Sequence, residues 1–197
     1  YTNCPRCFYL DRVLKVARPS GPPFNINSAV DSLLKAEFDT HRANGLKHPI
    51  QEEYGIDAEP APHALLDKWR ENFHGIQYIH EPTNLLVFGA IDDLWINSQG
   101  EYIVVDYKAT AKNEPVTELG DAEYHNQYRR QIEFYQWLLR RNGLPVSNTG
   151  YWVYCTGNPN AGAFDKKVEF EVHLISYEGS DAWVEDAIID AKKCVDE

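Results

Sequence analysis

The 197-residue chain contains no methionine, only four cysteines, and no apolar run approaching the ~20 residues a membrane-spanning helix needs. It shows no apolar stretch of signal-peptide type at its start, so a membrane partner is not expected and a cytoplasmic location is. Because it opens on Tyr1-Thr2-Asn3-Cys4 without a methionine, the chain is expected to be a piece trimmed at one or both ends. It has no phosphate-cradling glycine loop, which argues against an ATP site. The histidines at 41, 48, 63, 74, 80, 125 and 173 show no H-E-x-x-H or H-x-x-E-H spacing. Basic residues are the minority, 19 against 30 acidic, for a formal net charge of -11. That balance argues against indiscriminate adhesion to nucleic acid. The pairs Arg129-Arg130, Arg140-Arg141, Lys166-Lys167 and Lys192-Lys193 read individually as solvated faces and together permit a local basic track.

What is present is a globular composition, 43% apolar and 13% aromatic. It is enough for one domain over residues 1–197 with a substantial core. Residues 1–18 read as a short helix or turn, and "PSGPPFN" (19–25) as a breaker. Asn27 or Ser28 would cap a helix through about His41, with Ala29, Val30, Leu33, Leu34 and Phe38 inward. A loop from Asn44 to about Pro62 and a helix from His63 to Phe73 would follow. Strands are expected at 76–81, 85–96 and 101–109. A polar linker then leads to a long helix over about 122–141, stopped by Asn142-Gly143. Strands at 149–157 and 166–177 and a helix over about 181–193 complete the order. It describes an α/β domain with a mixed central sheet flanked by helices.

"YIVVDYKAT" (102–110) looks like a strand buried on both faces, yet it carries Asp106 and Lys108. Ser98-Gln99-Gly100 fits a three-residue hairpin loop ending in a left-handed glycine. That register sets Asn97 opposite Glu101 and Asp92 opposite Asp106, with Ala90 opposite Lys108. A four-residue loop would instead bring Asp93 to the face of Asp106. Two carboxylates at cross-strand distance repel unless one is protonated or a cation lies between them. A hard divalent cation suits them, with the main-chain carbonyl of Tyr107 as a further ligand. Lys108 would then orient or deprotonate a water, or neutralise developing charge, in metal-assisted phosphodiester hydrolysis. By itself, D-x-K reads instead as a structural ion pair between Asp106 and Lys108.

Further pieces stand in order: "GAIDDLW", "VVDYKAT" and "QIEFYQWLL". Together they resemble the PD-(D/E)xK nuclease superfamily, with the RecB-like and CRISPR-associated exonucleases as the nearest branch. The resemblance runs from "CPRCFYLDRV" to the final helix and implies a restriction-endonuclease-like core. It implies that Asp92 and Asp106 bind Mg²⁺ or Mn²⁺ and that Lys108 is catalytic. The family's Q-x-x-x-Y falls on Gln131 and Tyr135, one face of a helix. Gln131 would meet a metal-bound water or a phosphate, and Tyr135 a phosphate or base; the other reading is a packed amphipathic helix. Relatives often carry G-x-x-x-H at the first core helix, with the histidine a metal ligand. Here "NSAVD" puts Asp31 in that slot, either as a ligand or as a first-turn acid favoured by the helix dipole.

Many similar exonucleases hold a [4Fe-4S] cluster on one N-terminal and three C-terminal cysteines. By that likeness Cys4 (or Cys7) and Cys194 would be ligands, within terminal regions 1–26 and 181–197, in a set incomplete in this chain. A disulfide from Cys4 or Cys7 to Cys194 is the alternative in oxidised protein. Cys155, in an apolar strand, reads as a core residue. Tyr124, Tyr128 and Tyr135 lie near one helix face and would stack bases, beside Arg129 and Arg130 as substrate contacts. The expected function is a metal-dependent deoxyribonuclease acting on single-stranded DNA ends, in repair, recombination or CRISPR-type processing alongside partner proteins. The alternative is a catalytically silent nucleic-acid-binding or assembly subunit with the same fold.

Overall fold

A computed structural model describes residues 1–19, 21 and 25–197. The breaker expected at 19–25 lies largely outside the described residues. Helix α1 (Pro5–Arg12) starts with proline at its first position and with Cys4 as its cap, the Cys7 N–H donating to Cys4 Sγ at 3.2 Å. Helix α2 (Asn25–Asn44) buries Val30 and Phe38, two turns apart, along a narrow stripe. Leu33 is 70% exposed and Ala29 also faces outward, contrary to expectation, because both lie off that stripe. The segment expected to be loop contains α3 (Pro49–Glu53), capped by His48, and the two-residue strand β1 (Glu59–Pro60). Of the helix expected over 63–73 only one turn forms, α4 (Leu66–Trp69).

The expected strand 85–96 is two strands in two sheets. β2 (Ile76–His80) and β3 (Leu85–Gly89) make an antiparallel pair of their own. β4 (Asp93–Ile96) joins the main sheet, so Ala90 has no place in the ladder and does not oppose Lys108. The break has identifiable causes. A Cβ on Gly89 would sit 2.7 Å from the Tyr135 ring, so the chain there fits only glycine. Residues 90–92 then turn against α4: the Ile91 N–H donates to the Trp69 carbonyl at 3.1 Å, and Arg70 Nε to the Asp92 carbonyl at 3.0 Å.

The main sheet has five strands in the order β1-β4-β5-β6-β7, with β5 (Tyr102–Ala111), β6 (Thr149–Gly157) and β7 (Phe170–Glu178). β5 and β6 are parallel, joined by the crossover helix α5 (Glu123–Arg141); the other pairings are antiparallel, so the sheet is mixed. Gly143, at φ +81°, ends α5 as expected. Alternation sends Ile103, Val105 and Tyr107 toward Phe38 and Trp95 on the α2 face, and Val104 toward Ile132 and Leu138 on the α5 face. Helix α6 (Val184–Asp196) closes the α5 side through Val184 and Ile188. Among the described residues no helix is long and apolar enough to cross a membrane.

Candidate active site

The hairpin that sets the site is the three-residue loop. Gly100 has φ +80°, its N–H donates to the Asn97 carbonyl at 3.0 Å, and the Asn97 N–H donates to the Glu101 carbonyl at 3.0 Å. Asp93 accordingly pairs with Val105, where the ladder ends, and Asp92, just outside it, lies close enough to Asp106 to act on its carboxyl. β4 stops at Asp93, so the β5 edge beyond Val105 is not covered by it. The Tyr107 N–H on that edge donates instead to Asp92 Oδ2 at 2.9 Å. A residue's N–H and C=O leave a strand on the same side, so the Tyr107 carbonyl shares the edge with Asp92.

Asp106 is 1% exposed and forms an ion pair with Lys108. The Lys108 ammonium engages Oδ2, and Oδ1 has no protein hydrogen-bond partner. Burial pushes its carboxyl up to about 7, against the pull of Lys108 and with the added repulsion of Asp92. Lys108 Nζ also donates to Gln131 Oε1 at 3.2 Å and lies 4.6 Å from the centre of the Tyr128 ring. Gln131 Nε2 in turn donates to the Tyr135 hydroxyl at 3.0 Å. One turn of α5 therefore links to β5 through a single polar chain: Asp106, Lys108, Gln131, Tyr135. Tyr135 is buried, and desolvation raises its hydroxyl pKa. Packed against Gly89, its ring offers no open face for a base. Tyr128 is half-buried and Tyr124 is exposed.

Asp31 lies in the second turn of α2, not the first, so the helix-dipole reading fails. It is paired with Lys35, whose Nζ is 2.8 Å from Asp31 Oδ1 and 3.7 Å from Asp92 Oδ1. Asn27, Val30, Asp31, Tyr107, Lys108 and Tyr128 line a small cavity of about 200 Å³ beside the acids. A larger groove of about 780 Å³ runs along α5 past Leu86, Phe88, Arg130, Gln131 and Phe134. Arg130 lines it, holding Asn3 at 2.7 Å and Glu123 at 2.8 Å. Arg129 instead clamps the carbonyls of Leu119 at 2.8 Å and Gly120 at 3.0 Å, which occupies it with the linker before α5.

Sequence reasoning missed the role of Asp93. It has no exposed surface and faces the α2 side, opposite to Asp106. There it accepts from Arg42, from Arg70 at 2.8 Å and from the Tyr107 hydroxyl at 2.7 Å. Asp39 shares both arginines. The only sequence signal was the doublet itself, since neighbouring strand residues project to opposite faces.

Among the described residues no group of three or more His, Cys, Asp or Glu side chains is arranged to hold a metal ion. Asp92 and Asp106 are two carboxylates, and Mg²⁺ commonly takes one or two, completing its shell with water and substrate phosphate. The buried Asp106 Oδ1, which has no protein partner, fits such an ion. Cys194 Sγ lies 4.0 Å from the Pro5 carbonyl, so α6 ends beside α1. The cysteines are free thiols, with no disulfide from Cys4 or Cys7 to Cys194. Hydrogen bonds from Cys7 hold the Cys4 thiol below its ordinary pKa, and Cys155 is buried in β6.

A sequence model of the PD-(D/E)XK nuclease superfamily matches residues 1–191. The chain belongs to that superfamily. The mixed five-stranded sheet flanked by helices is its restriction-endonuclease-like core. PD-(D/E)XK nucleases act on nucleic acid and use divalent metals such as Mg²⁺. Searches of curated proteins and of solved structures each returned no match.

Proposed function

We propose that the protein is a divalent-metal-dependent deoxyribonuclease, an exonuclease acting on single-stranded DNA ends. The observation that carries this reading is Asp106: a carboxylate 1% exposed, its Oδ2 ion-paired with Lys108 and its Oδ1 without a partner, beside a second acid. A divalent cation would answer the charge left over on the paired acids. Asp92, Asp106 and the Tyr107 carbonyl would hold Mg²⁺ or Mn²⁺, with Asp31 at the rim of the shell. When bound, the ion would lower the pKa of water and polarise a phosphoryl oxygen. Lys108 orients the attacking water and meets the charge that grows on the phosphate. Gln131 holds the Lys108 amine and, through Tyr135, is itself held in place.

The groove along α5 supports a single strand as substrate. It reaches Gln131 and is walled by Phe88, Phe134 and Arg130, aromatic and basic groups suited to bases and phosphates. Repair, recombination or CRISPR-type processing, with partner proteins, is the setting this substrate suits. Free thiols throughout fit a reducing cytoplasm. An iron–sulfur cluster on Cys4, Cys7 and Cys194 plays no part in the proposed chemistry.

The competing reading, a silent nucleic-acid-binding or assembly subunit, draws on the pairing of Asp31 with Lys35 and on the acidic charge. End-labelled single-stranded DNA incubated with Mg²⁺, Mn²⁺ or EDTA separates the two. The nuclease shortens the label from one end with either ion and not with EDTA, and Lys108→Ala stops it while the circular dichroism spectrum is unchanged. Intact DNA with both ions, or cleavage by Lys108→Ala at the wild-type rate, would refute the proposal.

A further inference from the structure

Lys35 sits where a cation would be expected. Its ammonium is 2.8 Å from Asp31 Oδ1, 2.9 Å from Asp31 Oδ2 and 3.7 Å from Asp92 Oδ1. The ordinary explanation is an i,i+4 ion pair on a helix surface, which contributes little to stability. Two features set this one apart. Lys35 is only 22% exposed and reaches beyond its own helix to Asp92. Asp92 cannot swing away to meet it or avoid it, because its other oxygen is fixed by the Tyr107 N–H at 2.9 Å. The acids therefore divide into two compartments. Asp106, buried and with only its Oδ2 engaged, lies on the Lys108 side. Asp31 lies on the Lys35 side, and Asp92 stands between them.

We infer that Lys35 is a built-in cation that takes the place of a second metal ion, so that the site binds a single divalent ion on the Asp106 side. The inference rests on the nuclease reading given above. Lys35 neutralises Asp31 and half-engages Asp92, which leaves one carboxylate pair for an external ion. It also repels a second dication from the same space. Without the ammonium, Asp31 and Asp92 would face each other as uncompensated like charges, an arrangement that recruits a cation. Lys35 is thus a positioning residue that determines how many ions the site takes.

The test is Mn²⁺ alone, titrated into the full chain and followed by the electron paramagnetic resonance signal of free Mn²⁺ and by calorimetry. Wild type is expected to bind one ion. Lys35→Met and Lys35→Gln are each expected to bind two, with the first ion about tenfold tighter for loss of a neighbouring positive charge. Lys35→Arg stays at one, and Asp31→Asn added to Lys35→Met returns the count to one. Unfolding curves confirm that each variant is folded; Lys35 is partly exposed, so both neutral replacements are expected to fold. One ion in wild type and in both neutral variants overturns the inference and leaves the nuclease reading standing. Two ions in wild type also overturn it alone. No ion in wild type overturns both.

Discussion

Asp92 and Asp93 are adjacent and chemically identical, and their replacement by asparagine should have opposite consequences. Asp93 has no exposed surface, and its carboxylate accepts from Arg42, Arg70, the Tyr107 hydroxyl and the Leu94 N–H. Every neighbour is a donor, so an asparagine amide would turn donors toward donors. The two guanidiniums, 10% and 9% exposed, would keep Asp39 and, for Arg70, the exposed Asp67 at 4.0 Å as counter-charge. Removing one member of such a buried network costs about 3–5 kcal/mol. For a chain of this length that lowers Tm by about 10 °C. Asp92 is 26% exposed and holds one backbone N–H and the edge of one ammonium. Losing its charge costs about 1 kcal/mol, offset in part by relief of its repulsion with Asp106.

Urea unfolding followed by circular dichroism, alongside cleavage of labelled single-stranded DNA with Mn²⁺, reads both effects. Asp93→Asn should be clearly destabilised yet still cleave at temperatures where it is folded. Asp92→Asn should unfold near the wild-type midpoint and not cleave. An Asp93→Asn protein as stable as wild type, or an Asp92→Asn protein that cleaves normally, would mean that the division of the doublet between frame and site is wrong.

Gly89→Ala should lower both stability and cleavage, because the new Cβ would stand 2.7 Å from the Tyr135 ring and displace the residue that holds Gln131; overpacking of this kind costs about 1–3 kcal/mol, and wild-type unfolding and cleavage would count against it. Tyr135→Phe keeps the ring and removes the hydroxyl that accepts from Gln131 Nε2, so cleavage should fall more than stability, as rate and urea midpoint measured together would show. His48 is buried against Phe38, and desolvation lowers its pKa from the ordinary 6.5 despite the opposing pull of Glu37 and with His41 adding to the drop. A depressed folded value means that its contribution is complete above the unfolded pKa and is lost as the pH falls through the folded one. Stability should therefore fall from pH 7 toward pH 5, and His48→Gln should flatten that slope; parallel slopes would remove His48 as the cause.

The elements that could be read from the sequence are those fixed by short-range chemistry. Ser98-Gln99-Gly100 sets a hairpin because one residue must adopt positive φ, and glycine is there to do so. Once that loop is known, alternation assigns Asp92, Asp106 and Lys108 to one side and Tyr107 to the other. Gln131 and Tyr135 follow from the spacing of one helix turn. What could not be read was everything decided by residues distant in sequence. Nothing local to 85–96 says that the strand must break after Gly89; the contacts at the break come from Tyr135, 46 positions along the chain, and from Trp69 and Arg70. Nothing around Asp93 announces Arg42 and Arg70.

These distant contributions share a function in the frame. Arg70 holds the Asp92 carbonyl through Nε and the Asp93 and Asp39 carboxylates through its two terminal nitrogens. The Tyr107 residue donates its N–H to Asp92 and its hydroxyl to Asp93. Both residues of the doublet are therefore tied to the same two partners, one acid on each face of the sheet. A rigid, fully compensated Asp93 fixes the backbone from which Asp92 projects. This lets Asp92 stand beside Asp106 without rotating away from it, since repulsion between the two acids would otherwise be relieved by the loop moving. The buried network on the α2 face thus works with the ammoniums of Lys108 and Lys35 to keep the two acids together.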